Sequence, residues 1–179
     1  MAEPKPFSPV KLICGVLASR DPVFDLAVRR LEDMFGPTDT RSRRCAFDLT
    51  DYYEKQMGTG LARMFLSFER LIRPEGLSDI KLQTNELERE IQGRFYEEKR
   101  AVNLDPGYLT SAALVMATAK DFSHRIALRE GIYAHLEFLF QKNGLQTLSW
   151  TYPDFRGDKY QAFFLEVRKI YTSQLLPNK

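Results

Sequence analysis

The sequence predicts an α+β fold: a ferredoxin-like β-α-β-β-α-β core with a C-terminal β-hairpin and helix. Three observations predict it. Apolar spacing switches between period two and a helical period in the order β-α-β-β-α-β from Lys11 to Leu104. The connections are short, and short right-handed crossovers favour that packing. The composition, 179 residues with 44% apolar and 28% charged side chains, suits a packed domain that needs no staples. The whole chain, 1–179, is expected to be a single domain.

The elements follow in order. Residues 1–9 contain three prolines and no apolar stretch, so they read as a flexible lead-in and not as a signal peptide. Lys11–Ser19 is an apolar run from Leu12 to Ala18 and reads as a buried strand. Asp21 can cap a helix that has Pro22 in its first turn. Phe24, Ala27, Val28, Leu31, Met34 and Phe35 recur at helical spacing, and Gly36-Pro37 stops the run. Small Ala27 would let this helix approach the sheet closely. Cys45, Phe47 and Leu49 alternate as a strand. Ala62, Met64, Leu66 and Phe68 share one strand face, with Arg63, Ser67 and Glu69 on a wetter one. The link 51–60 ends in Gly58-Thr59-Gly60 and is expected to be mobile.

Ser78 can cap a second helix with Ile80, Thr84, Leu87, Ile91 and Phe95 as its stripe. Ala101–Leu104 reads as a short strand, and Thr110–Lys120 fits either a helix or a strand. A hairpin is expected from Arg125–Leu128 and Ile132–Phe140 around Arg129-Glu130-Gly131. Its alternation puts Ile132, Ala134, Leu136, Phe138 and Phe140 on one face, with Tyr133, His135 and Glu137 on the other. Tyr160, Phe163, Phe164, Val167, Ile170 and Tyr171 mark a final helix. The core helices are expected on one face of the sheet, with the hairpin and last helix extending or covering it.

Several function classes lose support. A net charge of +2 gives no reason to expect DNA binding, and the local group Arg41, Arg43 and Arg44 reads as a solvated loop. No apolar run is long enough to span a bilayer. Cys14 and Cys45 read as small buried hydrophobes in a reducing compartment, so a cytoplasmic location is expected and a disulfide is the weaker reading. The phosphate loop G-x-x-x-x-G-K-[ST], the G-x-G-x-x-G turn and the G-x-S-x-G nucleophile turn are absent from the sequence. Two histidines and two distant cysteines argue against a zinc site. The cofactor remains unassigned, because carboxylate ligands for magnesium need no fixed spacing.

One stretch concentrates chemistry: Asn103-Leu104-Asp105-Pro106-Gly107-Tyr108, Thr118-Ala119-Lys120-Asp121, His124-Arg125-Ile126, Gly131-Ile132-Tyr133 and Trp150-Thr151-Tyr152-Pro153-Asp154-Phe155. Together these phrases resemble the bacterial family called domain of unknown function 4416. The similarity runs from Gly15-Val16 to the last helix. The resemblance implies no activity, substrate or catalytic residue, so the roles below come from side-chain chemistry alone.

His124 titrates near neutrality and is the candidate acid/base, with Asp105 and Asp121 as catalytic partners. Lys120 and Arg125 can hold an anion, Arg by a two-point grip on phosphate or carboxylate. Asn103, Tyr133 and Asp154 complete the candidate ligand contacts, and Asp105, Asp121 and Asp154 are also candidate metal ligands. No metal site is assigned. Each residue also has a plainer role. Asn103 and Asp105 stabilise turns, Arg125 pairs with Glu130 or Glu137 across the hairpin, and Trp150, Tyr152 and Phe155 pack. The expected partner is an anionic small molecule or nucleotide, with or without acid/base catalysis. An RNA- or protein-binding module without chemistry is the alternative, and a homo-oligomeric scaffold the third reading.

Overall fold

The computed structural model describes residues 3–95, 99–142 and 144–176. Residues 3–9 carry no helix or strand, and residues 1–2 of the expected lead-in lie outside the described set. Strand β1 (Val10–Ala18) is buried along its whole length, as a continuous apolar run should be in a sheet covered on both faces. Helix α1 (Asp21–Phe35) follows. Asp21 sits inside its first turn and the cap position belongs to Arg20, which supplies no side-chain cap. The acid still favours the helix from there, near the positive end of the dipole. Gly36, at φ 91°, ends the helix in a conformation that favours glycine.

The strand expected over Cys45–Leu49 is only two residues long, β3 (Cys45–Ala46), and an unexpected β2 (Thr38–Arg41) precedes it, both along β4 (Ala62–Ile72). Between β3 and β4 the chain makes one helical turn, α2 (Glu54–Met57). The link expected to be mobile is anchored there: Met57 and Tyr53 pack on Leu17, and the amide of Arg100 donates to the Gln56 carbonyl at 2.9 Å. Helix α3 (Leu77–Phe95) starts one residue before Ser78, out of a 3-10 turn at Pro74–Gly76, so Ser78 is not its cap.

The second half differs more from expectation. β5 (Val102–Leu109) runs straight through Asp105-Pro106-Gly107, which the sequence suggested was a turn. Pairing with β6 (Ala113–Thr118) begins at Gly107, one residue past the proline, so Pro106 sits where a strand can tolerate a missing N–H. Gly107 is needed for close approach: a Cβ there would lie 2.5 Å from the Val115 carbonyl oxygen. The ambiguous 110–120 segment is strand β6 (Ala113–Thr118). The first hairpin arm shrinks to β7 (Ile126–Ala127), while the second is β8 (Tyr133–Gln141), followed by β9 (Gly144–Thr147). Helix α4 (Gln161–Gln174) closes the fold.

All pairings are antiparallel. The strand order is β2-β4-β1-β5-β6-β8-β7, with β3 also on β4 and β9 on β8. On one face Leu12, Cys14, Val16, Met64, Leu66, Phe68 and Leu104 pack under Phe24, Ala27 and Leu31 of α1 and Leu87 and Ile91 of α3. On the other, Ile13, Phe65, Met116 and Phe138 pack under Phe155 and under Phe163, Phe164 and Val167 of α4. Helices therefore cover both faces. The two thiols are unpaired, with Cys14 in the first cluster and Cys45 against the second.

One irregularity matters for the site. β6 pairs Leu114 with Phe138 but Val115 with Leu136, so Glu137 is the extra residue of a bulge. Glu137 reaches Tyr152 and Phe138 reaches Phe164, both on the α4 side. Strict alternation would have separated them. His135 and Glu137, read as a polar face, are both buried, whereas Leu136, read as core, is only half-buried.

Candidate functional site

The α4 side of the sheet buries Ile13, Phe65, Met116 and Phe138. Beyond them, β1 ends, β4 begins, and Asn103 and Asp105 replace the aliphatic residues. A cavity of ≈ 360 Å³ opens there. The β3–α2 segment supplies Phe47, Thr50, Tyr52 and Tyr53, and β4 supplies Arg63. Lys120, Asp121, Phe122 and Arg125 come from the β6–β7 connection, and Tyr152, Pro153 and Asp154 from the turn into α4.

Arg63 is the floor of this cavity and is 2% exposed. Its Nη1 donates to Asp154 Oδ2 at 2.6 Å and its Nη2 to Asp105 Oδ2 at 3.3 Å. Asn103 Nδ2 donates to the same Asp105 oxygen at 2.6 Å. The guanidinium lies 4.5 Å from the centre of the Phe47 ring. Burial pushes the Asp154 carboxyl up, while Arg63 pulls it down less strongly. For Arg63 burial acts against the charge, but Asp154 and Asp105 together raise its affinity for the proton. Both pKa values therefore rise, which favours the charged form of Arg63 and the neutral form of Asp154. We take the pair as ionised, because guanidinium does not lose its proton in proteins and the contact is short.

Arg125 is aimed by its neighbours. Its Nη1 donates to the Lys120 carbonyl at 2.7 Å, and its Nη2 lies 3.4 Å from the Tyr152 hydroxyl. It pairs with neither Glu130 nor Glu137. Glu137 is engaged by His135 Nε2 at 2.7 Å and by the Tyr152 amide, which donates at 2.6 Å. The Lys120 ammonium lies 4.3 Å from the Tyr52 ring centre and 5.4 Å from that of Tyr53. Burial raises the Tyr53 and Tyr152 phenols well above their usual range, so both stay protonated at neutral pH. Two buried guanidinium nitrogens at this cavity, Nε of Arg63 and Nε of Arg125, have no partner among the described residues. An unmet buried donor is costly, and a bound acceptor would satisfy it.

The expected site residues are therefore divided. Lys120, Asp121, Arg125 and Asp154 line one cavity, and Asp105 and Asn103 hold Arg63 beneath it. His124 lies in a neighbouring hollow, stacked on Trp150 with ring centres 5.1 Å apart and planes at 10°. It makes no hydrogen bond to Asp105 or Asp121 among the described residues, so the expected acid/base set is not assembled. Burial lowers the His124 pKa from its ordinary 6.5, with His135 and Arg125 adding to the effect. Tyr133 is half-buried and lines neither hollow. No three His, Cys, Asp or Glu side chains among the described residues are placed to hold a metal ion.

Arg63, Tyr52, Tyr53, His135 and Glu137 were not singled out by the sequence. Arg63 looked like one charge on the wet face of a strand. The pair Tyr52-Tyr53 in a polar link was the one available signal, since large aromatics there need something to cover.

Fold and cavity together define a class: an α+β protein with a continuous antiparallel sheet, covered on both faces, and a cation-lined cavity at one end of the α4 side. Within that class the chain belongs to the family described as domain of unknown function 4416, whose sequence profile matches residues 8–171. No curated protein and no solved structure matches the chain. No helix among the described residues is long and apolar enough to cross a membrane.

Proposed function

We propose that this protein binds a small anionic molecule in the cavity between the β3–α2 segment and the turn into α4. The observation that carries the proposal is the convergence of Lys120, Arg125 and Arg63 on one cavity, with two of the guanidinium nitrogens buried and unpartnered. Asp105 and Asp154 offset Arg63, so Lys120 and Arg125 supply the attraction, and Asp121 opposes it at the mouth. The cavity size falls at the small end of the range for ligand sites, about 300–1,000 Å³. Five of its twelve lining residues, Phe47, Tyr52, Tyr53, Phe122 and Tyr152, are aromatic, and the charged groups stand among them.

The proposal is one of binding. Acid/base catalysis by His124 loses its support, because the imidazole does not line the cavity. RNA binding on an open sheet face also loses its basis: α1 and α3 cover one face, and α4 lies on the other. We further infer a ferredoxin-like core in β1-α1-β2-β4-α3-β5. The antiparallel order β2-β4-β1-β5, with both helices on one face, supports it. Two unpaired thiols agree with a cytoplasmic protein.

Thermal unfolding with phosphate, nucleoside monophosphates and simple carboxylates tests the binding proposal. An anion at one hundred times its Kd should add about 2.7 kcal/mol of stability. The shift should vanish in Arg125→Ala and Lys120→Ala. If the natural protein is stabilised by none of these anions, the proposal is wrong.

A further inference from the structure

We propose that the ligand of this cavity is a flat aromatic anion, with its ring on Tyr52 and Tyr53 and its oxyanion between Lys120 and Arg125. This deepens the anion-binding proposal and rests on it.

The argument begins with Lys120. Its ammonium has no carboxylate within ion-pair distance among the described residues, and it lies instead over two phenol rings. An ammonium is a compact, strongly hydrated charge on a flexible stem, and a ring face is a weaker partner than an oxyanion. A ligand oxyanion would draw it away by a short movement of that stem. The movement would uncover the faces of Tyr52 and Tyr53. Tyr52 is 54% exposed and packs edge-on against Tyr53, with ring centres 5.0 Å apart. A half-exposed aromatic beside a cationic cavity is poorly explained as core material but suits a stacking surface.

Arg125 supplies the second grip. Its position is held by the Lys120 carbonyl and Tyr152, and its buried Nε remains unpartnered. One anionic group between Lys120 and Arg125 would meet both. The ≈ 360 Å³ cavity accommodates one ring system with a short polar arm. The shared ligand chemistry is therefore a planar ring carrying a phosphate or a carboxylate. A nucleoside monophosphate and an aromatic acid are its two natural sources.

Isothermal titration distinguishes them with two matched pairs: adenosine 5′-monophosphate against ribose 5-phosphate, and 2-naphthoate against cyclohexanecarboxylate. In at least one pair the planar member should bind the natural protein about tenfold or more tightly than its partner, in line with aromatic stacking elsewhere. The pair that shows this identifies the source. Tyr52→Leu should remove most of that preference, bringing the affinities of the two members together, and Tyr52→Phe should keep it. Equal binding within both pairs, or a preference that survives Tyr52→Leu, overturns ring recognition and leaves the anion site standing. Binding of no probe overturns the anion site, and this inference with it.

Discussion

The two faces of the sheet draw on the same strands and do different things with them. Toward α1 and α3, β1 offers Leu12, Cys14, Val16 and Ala18, β4 offers Met64, Leu66 and Phe68, and β5 offers Val102 and Leu104. Toward α4, β1 offers Lys11 and Leu17 around Ile13 and Gly15. β4 offers Arg63 and Ser67 around Phe65, and β5 offers Asn103 and Asp105. Because side chains alternate with period two, one register separates the apolar strand residues under α1 and α3 from the mixed ones under α4, and the buried charges on the α3 side, Lys81 and Glu88, come from the helix and bond the Leu104 backbone. The apolar layer supplies stability without direction. The mixed layer holds buried charges, which demand specific partners and therefore specific places for the loops that carry them.

That contrast shows at both ends of the α4 side. At one end Lys11 is fully buried, bonded to Asp39 and, at 2.9 Å, to Gln174 of α4. At the other, Arg63 draws Asp154 and Asp105 together. The first set is closed by the C-terminal helix and ties it down. The second lies open to a cavity. A buried cation held by acid or amide side chains thus acts as a fastening in one place and as the floor of a site in another. What covers it makes the difference.

Substitutions can break or sharpen the comparison. The largest effect is expected from Arg63→Ala, which leaves Asp154 buried without its cation. Loss of one partner of such a pair costs about 3–5 kcal/mol. Urea denaturation measures it, and a cost below about 1 kcal/mol would mean that the pair does not organise the α4 side. Next is Leu66→Ala on the opposite face, where Leu66 is 0% exposed. Cavity creation there should cost about 2–5 kcal/mol. The anion-dependent increment in thermal stability should survive, because this face touches no site residue.

A smaller loss, about 1–3 kcal/mol, is expected from Gly107→Ala. The new Cβ would meet Met116 Sδ as well as the Val115 carbonyl, both at 2.5 Å. Stability within 0.5 kcal/mol of the natural protein would show that β5 and β6 can separate freely.

The smallest effect concerns pH. Burial lowers the His124 pKa below its ordinary 6.5. The unfolded chain therefore takes up this proton at higher pH than the folded one does. The contribution is intact above the unfolded value and declines as pH falls through 6.5 toward the folded pKa. Thermal midpoints measured across that window should slope less in His124→Gln than in the natural protein. An identical slope would remove His124 as the source.

The sequence shows much of the apolar layer because its spacing is local. The stripe Phe24, Ala27, Val28, Leu31 and the alternation Met64, Leu66, Phe68 each lie within one element, and each reached the core as read. The site was legible only in part. Lys120, Asp121, Arg125 and Asp154 stood out as charges in a cluster, and they share a cavity. His124 stood out for its pKa alone, and packing turned it toward Trp150. Asp105-Pro106-Gly107 has turn chemistry, but pairing with β1 on one side and with β6 from Gly107 onward kept it extended. Local preference lost there to ladder hydrogen bonds and burial.

Residue spacing alone determined the α+β class, the helix positions and most of the buried stripes, since these follow from periods of 2 and 3.6 along the chain. Tertiary structure decided which face α4 would cover, where the β8 bulge would turn Glu137, and that Arg63 would find acids 42 and 91 residues away. Such pairings depend on contacts between distant segments. A buried charge takes whichever partner the folded chain brings within reach, and no periodicity records that partner in advance.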